Sequence, residues 1–453
     1  MSYVLNTPDQ QQEMLQTIGV KGIGELLTQI PATCRISQPL DIPAPLTELE
    51  LEQELRGLAA DTAGASRRVC FLGGGAYEHF IPAVVDEITG RGEYYTAYTP
   101  YQAEASQGSL QAFFEYQSLI CRLTGMDVSN ASLYEGGSAV CEAVLMALHS
   151  TQRTGKVILP ESVHPEYREV VETYLTSLGV AVEVIACPAG VIDVAALQSA
   201  LNDQTAAVVV QHPNVFGNLE DVAAISAAAH RQGAVCIQSF DPISLGVLKQ
   251  PAALGVDIAV AEGQSLGIPL QYGGPYLGIL ACKKDFLRKM PGRLIGLTTD
   301  RRGRQCFVLN LQAREQHIRR EKATSNICTN QGLMALRAAI YLSLLGPTGL
   351  REAAERCCRL SHYAAAALSA LPGYRLRFSQ SFFKEFVLEC PQSAQETQAR
   401  ARQAGFDVGP ELTRMDTWQN WPAADRDRCV IVAVTECRTR AEIDGLAAAL
   451  RGN

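Results

Sequence analysis

Three short runs contain residue types that can hold an anionic ligand carrying a flat ring. Gly136, Gly137 and Ser138 precede a predicted helix over residues 139–149, and such a helix start offers backbone N–H groups to a phosphate. His164 and Asp241 each follow a predicted strand directly, in loops where parallel sheets bind ligands. Each run also has a plainer interpretation: an ordinary helix start, a structural histidine and an Asp-Pro turn.

Together these groups are the parts with which a fold type I pyridoxal-phosphate enzyme holds its cofactor: a helix start for the phosphate, a ring on the pyridine and an aspartate for its nitrogen. Such an enzyme also needs a Schiff-base lysine after the next strand. Residues 262–275 read Glu-Gly-Gln-Ser-Leu-Gly-Ile-Pro-Leu-Gln-Tyr-Gly-Gly-Pro and contain no lysine. The lysines elsewhere, Lys384 among them, are expected to lie out of reach of a cofactor held by these groups.

The elements that position these groups follow from apolar periodicity. Short apolar strands alternate with helical stretches, which predicts a mostly parallel α/β sheet covered on both faces. Strands are predicted at residues 156–159, 181–186, 206–210, 234–238, 258–261 and 276–281, with helices at 166–178, 194–201 and 222–232. A long helix over about 329–345 precedes a compact unit with helices at 350–371, 394–404 and 440–450 and strands at 382–389 and 429–435.

This pattern divides the chain into three parts: a helical arm at residues 1–64, a large domain at 65–328, and a long helix with a small C-terminal α/β domain at 329–453. The arm contains helical apolar spacing at 7–18 and 46–58, with Asn6 or Thr7 and Thr47 as candidate caps. Because the arm has no visible core of its own, we expect it to wrap another surface.

Composition excludes several classes of function. The net charge of −8 argues against a nucleic-acid partner. The 14 cysteines form no C-x-x-C pair, so we expect reduced, mostly buried thiols and no metal site. The polar N-terminus and the lack of an apolar run near ~20 residues predict a cytoplasmic protein without a membrane partner.

One stretch, residues 283–322, is strongly basic within this acidic chain. Two interpretations stay open for it. Most of its lysines and arginines are expected to be solvated surface, and part of the stretch is a candidate docking patch for an acidic partner.

Three longer runs identify a family. Residues 98–104 read Tyr-Thr-Pro-Tyr-Gln-Ala-Glu and are followed by Ser-Gln-Gly at 106–108. Residues 319–330 read Arg-Arg-Glu-Lys-Ala-Thr-Ser-Asn-Ile-Cys-Thr-Asn, and residues 263–269 read Gly-Gln-Ser-Leu-Gly-Ile-Pro. These runs resemble those of the glycine cleavage system P-protein family, and the similarity extends from about residue 3 to 450. The resemblance implies the fold of a pyridoxal-phosphate transferase of fold type I.

Some members of that family are one chain with two homologous halves, and others are two subunits. The second half, or subunit 2, carries His-Lys-Thr before an Ile-Pro. Aligning Ile268 and Pro269 with that pair places Gln264 at the lysine position and Gly263 at the histidine, so this chain resembles subunit 1. The groups at positions 136–138, 164 and 241 would then be remnants of an ancestral cofactor pocket.

The resemblance implies a partner, subunit 2, which would hold the pyridoxal phosphate covalently. From the apolar faces of the arm we expect the two subunits to form an α₂β₂ complex. That complex would bind glycine, release CO₂ and pass the aminomethyl group to the lipoyl arm of the H-protein. Loop 98–104 is the candidate contribution of this chain to a shared site, through Tyr98, Thr99, Tyr101, Gln102 and Glu104. A structural crossover at the subunit interface is the alternative for the loop.

Two other functions compete with this interpretation. A non-catalytic pseudoenzyme would stabilise subunit 2 and contribute no atom to the site. A stand-alone pyridoxal-phosphate enzyme of other specificity is opposed by the missing lysine.

Overall fold

The computed structural model describes residues 5–36, 38, 40–62, 67–414 and 423–451. The chain divides into two units, Met1–Ala63 and Gly64–Asn453.

The first unit contains helices but no buried side chain among its described residues. Its helices are α1 (Pro8–Ile18), α2 (Ile23–Leu26) and α3 (Glu48–Asp61). Thr7 and Thr47 begin α1 and α3 with reciprocal capping boxes, which confirms Thr7 rather than Asn6 as the first cap. Its large apolar side chains are exposed, among them Leu5, Met14, Ile18, Ile23, Ile36, Leu40, Ile42, Leu49, Leu55 and Leu58.

The strands and helices of the second unit follow the predicted alternation. The strands are β1 (Val69–Leu72), β2 (Val128–Ser129), β3 (Lys156–Ile158), β4 (Ala181–Glu183), β5 (Thr205–His212), β6 (Val235–Phe240), β7 (Ile258–Glu262), β8 (Gly278–Cys282), β9 (Ile295–Thr299), β10 (Gln305–Leu309), β11 (Arg375–Leu376), β12 (Glu385–Glu389), β13 (Phe406–Gly409) and β14 (Cys429–Ala433). The helices are α4 (Ala83–Thr89), α5 (Gly92–Tyr95), α6 (Gln107–Thr124), α7 (Gly136–Thr151), α8 (Pro165–Thr176), α9 (Val194–Ala200), α10 (Val222–Arg231), α11 (Gln316–Arg319), α12 (Gly332–Ser369), α13 (Ala394–Gln403), α14 (Ala423–Arg426) and α15 (Arg440–Arg451).

Seven of these strands form the main sheet, in the order β2-β8-β7-β6-β5-β3-β4. Strands β3 to β7 run parallel, while β8 pairs antiparallel with β7 and β2 antiparallel with β8. On β5, Val208 and Val210 pack with side chains of α6, α10 and α12, and Ala207 and Val209 pack with α7. The mostly parallel sheet covered on both faces is thus confirmed.

Helix α12 is long and apolar enough to cross a membrane by length and composition alone. It consists of two helices, because Gly346 has non-helical angles (φ 58°, ψ −171°) and Pro347 follows it. Met334, Tyr341 and Leu342 are buried in the core cluster that contains Val208. The apolar character of α12 is that of a core helix, and the predicted end of a helix at about residue 345 is confirmed.

The C-terminal part contains a sheet of order β11-β12-β14 and the separate parallel pair β1-β13. Strand β1 lies in the range assigned above to the large domain, yet Phe71 packs in one cluster with Leu388, Val432 and Ile443. A long-range pairing of this kind has no local sequence signal. The division of residues 65–453 into two domains stays a prediction.

One carboxyl group lies inside the apolar core. Glu142 of α7 is 3% exposed, and its Oε2 has no hydrogen-bond partner within the described residues. Burial raises the pKa of Glu142 to about 7, an effect that the Ser325 hydroxyl only partly offsets. The folded state therefore binds this proton more tightly than the unfolded chain does.

Replacement of this carboxyl, Glu142→Gln, is expected to change the pH dependence of stability. The carboxyl contributes fully below its unfolded pKa, near 4.5, and its contribution is lost as pH rises through about 7. Relative to the wild type, the free energy of unfolding of the variant should therefore rise by about 2–3 kcal/mol between pH 4.5 and 8. Urea unfolding at several pH values measures this, with the exposed Glu169→Gln as control. Parallel pH profiles for all three proteins would contradict it.

Candidate functional site

One of the groups predicted for a cofactor pocket, Asp241, lines a cavity at the carboxyl ends of the parallel strands. The others contact residues of its wall: Gly136 bonds Glu262, His164 packs on Tyr167 and Gln264 bonds Tyr77. Asp241 follows β6, Gln264 follows β7, His164 precedes α8, and residues 136–138 begin α7. The cavity measures only about 40 Å³, room for a few water molecules. We call it the first cavity, and its walls include Gly75, Tyr77, Tyr167, Asp241, Glu262, Ser265, Lys384 and Glu385.

The start of α7 binds carboxylates of its own chain. Glu135 accepts hydrogen bonds from the backbone N–H groups of Gly137 and Ser138, the latter at 2.8 Å. Glu262 accepts from Gly136 N at 2.9 Å. Burial raises the pKa of Glu262 to about 7, although backbone N–H groups, that of Gly136 first, act against the shift. The helix start therefore satisfies its preference for an anion internally.

Asp241 also has a partner. The Lys384 ammonium lies 2.5 Å from Asp241 Oδ2, and the lysine side chain is 2% exposed. The same ammonium lies 3.7 Å from the centre of the Tyr77 ring and donates to His79 Nε2 at 3.0 Å. The expectation that Lys384 lies out of reach was wrong. The segment before β12 packs against the loop after β5, where Phe383 N donates to Gly217 O. This contact brings Lys384 to Asp241.

The charge network continues beyond His79. His79 Nδ1 lies 2.7 Å from Glu436 Oε2, and the Cys357 thiol donates to the same oxygen at 3.2 Å. Burial acts to raise the pKa of Glu436, but the His79 hydrogen bond and charge outweigh it and lower this pKa to about 2.

His79, Cys357 and Glu436 lie close enough together to hold a metal ion. Lys384 donates to His79 Nε2, however, which places the imidazole proton on Nδ1, facing Glu436. Burial, followed by the Glu436 charge, raises the pKa of Cys357 well above its ordinary value. Because a metal needs a free ring nitrogen and a thiolate, this cluster fits a hydrogen-bonded network better than a metal site.

Gln264, which the resemblance places at the position of the Schiff-base lysine, joins two loops. Its Oε1 accepts from Tyr77 N at 2.8 Å, and its Nε2 donates to Tyr77 O at 3.0 Å and to Ile268 O at 2.7 Å. A lysine has no acceptor atom, so it would leave Tyr77 N without this partner.

Glu385 completes the wall, and His164 lies behind it. His164 Nε2 bonds Gly74 O at 2.9 Å, its ring centre lies 4.9 Å from that of Tyr167, and burial lowers its pKa. Glu385 accepts from Gly74 N at 2.6 Å and from the Tyr77 hydroxyl at 2.9 Å. Both side chains hold the segment around Gly74 in place.

The residues of the first cavity do not fit pyridoxal phosphate. The anion position holds Glu135 and Glu262, the aspartate holds Lys384, and the lysine position holds a fully bonded glutamine. A cofactor would have to displace several buried hydrogen bonds and an ion pair, each costly to leave unmade.

Loop 98–104 lies at another place, beside a cavity of about 230 Å³ that shares no lining residue with the first. We call it the aromatic cavity, and it is lined by Tyr94, Tyr95, Ala97, Tyr98, Pro100, Tyr101, Ser109, Ala112, Phe113, Thr329, Asn330, Gly332, Leu333 and Leu336. The Tyr101 hydroxyl donates to Asn330 Oδ1, and Asn330 Nδ2 donates to Ala131 O at 2.9 Å. Two of the family runs, 98–104 and 319–330, therefore meet here.

The other candidates of the loop are exposed. Tyr98 is 96% exposed, and Thr99, Gln102 and Glu104 are exposed as well. None of these four side chains makes a hydrogen bond within the described part of the chain. Tyr101 differs, because it is half-buried, bonded to Asn330 and covered by the Arg293 guanidinium at 4.8 Å from its ring centre.

Sequence reasoning missed the groups that fill the first cavity. Glu135 and Glu262 each adjoin a predicted ligand-binding element, and Lys384 with Glu385 interrupts an apolar run that reads Phe-Phe-Lys-Glu-Phe. Charged residues inside a buried strand are rare unless they are paired. The apolar run around Lys384 therefore predicts that this lysine is paired, but it does not predict that the partner is Asp241.

Comparisons with known proteins agree with the sequence resemblance. A family model described as glycine cleavage system P-protein matches residues 1–450. Proteins named probable glycine dehydrogenase (decarboxylating) subunit 1 are 49% identical in Carboxydothermus hydrogenoformans, over 100% of both chains, and 49% identical in Chlorobium limicola, over 99% of both.

Among solved structures, an inhibitor-bound crystal structure of glycine decarboxylase (P-protein) of the glycine cleavage system is 42% identical. It superposes with a TM-score of 0.90, covering 100% of this chain and 99% of that one. A NifS-like protein from Rickettsia africae has a TM-score of 0.62 at 13% identity, over 84% of this chain and 98% of that one. C-DES, solved with glycine covalently linked to its PLP cofactor, has a TM-score of 0.61 at 16% identity, over 86% and 97%. These distant likenesses show the fold alone, and they confirm the predicted fold class.

The isolated chain is expected to form no specific pyridoxyl adduct, because an amide nitrogen at position 264 is not a nucleophile toward aldehydes. Gln264→Lys should form none either, since the anion position and Asp241 are already occupied. Incubation with pyridoxal phosphate, borohydride reduction and peptide mapping measure both. A stoichiometric adduct on one lysine of the wild-type chain would contradict the closed cavity, as would one at position 264 in the variant.

Proposed function

Because the chain belongs to the glycine cleavage system P-protein family, we propose that it is subunit 1 of a two-subunit glycine dehydrogenase (decarboxylating), active in complex with subunit 2. The complex binds glycine, releases CO₂ and transfers the aminomethyl group to the lipoyl arm of the H-protein. The single observation that carries the assignment to subunit 1 is the filled first cavity, with Gln264 at the lysine position.

In this proposal the pyridoxal phosphate is held covalently by subunit 2. When bound there, the cofactor supplies the electron sink for loss of CO₂. What this chain supplies is a wall for the shared site: groups that orient the substrate and exclude water.

Loop 98–104 is the proposed wall. Tyr98, Thr99, Gln102 and Glu104 are exposed, and their polar groups have no partner in the described part of the chain, so they are available to a second subunit. The Tyr101–Asn330 bond and the Arg293 contact fix the base of the loop. A fixed phenol serves such a site well, because its dipole needs no reorganisation while charge develops. Tyr98 is the contributing group in this arrangement, and Tyr101 positions it.

A pure scaffold remains the rival. The closed cavity is equally compatible with a subunit that only stabilises its partner, whereas the names of the relatives favour the enzyme subunit. The two proposals differ in what happens when the loop loses one oxygen atom and assembly is unchanged.

Tyr98→Phe and Tyr101→Phe should each lower kcat of the reconstituted complex by roughly ten- to several-hundred-fold. In Tyr98→Phe one transition-state hydrogen bond is lost, which costs about 2–4 kcal/mol. In Tyr101→Phe the bond to Asn330 that positions Tyr98 is lost instead. Glycine decarboxylation with subunit 2 and H-protein measures the effect, and the half-exposed Tyr174→Phe of α8 is the matched control. Full activity of both loop variants in intact complexes would decide for the scaffold.

The partner contact is proposed to involve the first unit, within an α₂β₂ assembly. Its described residues bury no side chain and expose a series of leucines and isoleucines, which is unstable in water without a covering surface. We propose that subunit 2 supplies that surface.

Deletion of residues 1–45 should therefore weaken association with subunit 2 at least about tenfold, since several apolar side chains lose their cover. Sedimentation of mixtures over a concentration series measures the dissociation constant, and circular dichroism of the shortened chain checks that the second unit is folded. Unchanged affinity and an unchanged tetramer mass would refute this role of the arm.

The proposed location is the cytoplasm. All 14 cysteines are free thiols, as a reducing compartment would keep them.

A further inference from the structure

A third cavity, of about 480 Å³, is surrounded by positive charge. We call it the basic cavity, and its lining residues are His149, Arg288, Lys289, Leu311, Ala313, Arg314, Arg319, Lys322 and Thr324. Five of these nine residues are lysine or arginine and none is acidic, in a chain whose net charge is −8. Its volume lies within the range of about 300–1,000 Å³ typical of small-molecule sites.

The five cations differ from their charged neighbours in how they are paired. Within the described part of the chain, no carboxylate makes an ion pair with any of them. Their neighbours behave differently, since Lys283 pairs with Asp257 at 2.7 Å and Arg293 pairs with Glu315. Gathering unpaired like charges around a concave surface is unfavourable unless an anion neutralises them.

Two of the cations are held in place by backbone oxygens. Arg314 donates to Met290 O and, at 2.8 Å, to Gly292 O, and Arg319 Nε donates to Lys322 O at 3.3 Å. Burial lowers the pKa of Arg314, as expected of a cation removed from water without a carboxylate bonded to it. A site with fixed donors loses less entropy when a ligand binds.

We propose that the basic cavity binds a small polyanion, a ligand with two or more carboxylate or phosphate groups. Guanidinium groups bind either group through paired hydrogen bonds, and lysine and the Thr324 hydroxyl add further donors. The cations come from three separate segments, residues 288–289, 314 and 319–322, so a monoanion would meet only part of the set. The basic cavity shares no lining residue with the first or the aromatic cavity, and its ligand binding can be measured without the decarboxylation reaction.

The other basic group of the 283–322 stretch has a different shape. Arg301, Arg302 and Arg304 lie on the exposed turn between β9 and β10, where Arg304 pairs with Asp300 at 3.1 Å. A projecting turn suits contact with a broad acidic surface, whereas a cavity suits a small ligand. The turn therefore provides a matched control with the same charge in the same region.

The test is calorimetric titration of the full chain, alone and in complex with subunit 2, with pyrophosphate and with citrate. Acetate at equal ionic strength is the monoanion control. We expect one site per chain with a dissociation constant below about 1 mM for at least one polyanion, and no measurable binding of acetate. The double variant Arg319→Gln/Lys322→Gln should weaken binding at least about tenfold, and Arg301→Gln/Arg302→Gln should leave it unchanged.

Three outcomes would overturn the proposal. The first is that neither polyanion binds. The second is that both double variants lose affinity equally, which would indicate a general positive field. The third is that binding disappears in the complex, which would make the cavity a subunit contact. All variant side chains are exposed, so thermal unfolding midpoints should stay near that of the wild type. Glycine decarboxylation is not the readout, and failure here would leave the proposed function untouched.

Discussion

The buried ion pair between Asp241 and Lys384 is the interaction on which the pocket depends. A charge removed from water is costly without a partner, and removal of either residue would leave the other uncompensated. The pair fixes what surrounds it: the Tyr77 ring lies under the ammonium, His79 must accept from it, and Glu436 must accept from His79. One contact thereby ties the segment before β12 to the end of β6 and to the loop after β1.

The same charge logic governs the start of α7. A helix start favours an anion whatever its source, and Glu135 and Glu262 meet that preference as well as a phosphate would. Side chains of this chain thus occupy the position at which the resemblance predicts a cofactor phosphate. Glycines before a helix are compatible with a bound anion and with an ordinary helix start, and here the neighbouring carboxylates show that the anion is internal.

Local signals predicted much of the fold, and long-range contacts decided the rest. The parallel strands, the caps at Thr7 and Thr47 and the break at Gly346 each depend on a few adjacent residues. The pairing of β1 with β13 and the meeting of Lys384 with Asp241 join residues far apart in the chain. Periodicity has no information on such pairs, so the residue types of the pocket were predictable and their state of occupation was not.

Polar groups whose hydrogen bonds are all made inside the chain have no free donor or acceptor for a ligand. Beside the first cavity, the Gln264 amide is hydrogen-bonded to Tyr77 and Ile268, and Asp241 is paired with Lys384. In loop 98–104 the reverse holds, because Tyr101 is fixed by Asn330 while Tyr98 and Glu104 are exposed. A rigid base with free polar ends is the arrangement that lets one subunit act in the site of another, since the ordering cost is met before the partner arrives. Under the proposed function, the groups around the first cavity are therefore bonded within the chain, and the exposed polar groups of loop 98–104 are the ones available to a second subunit.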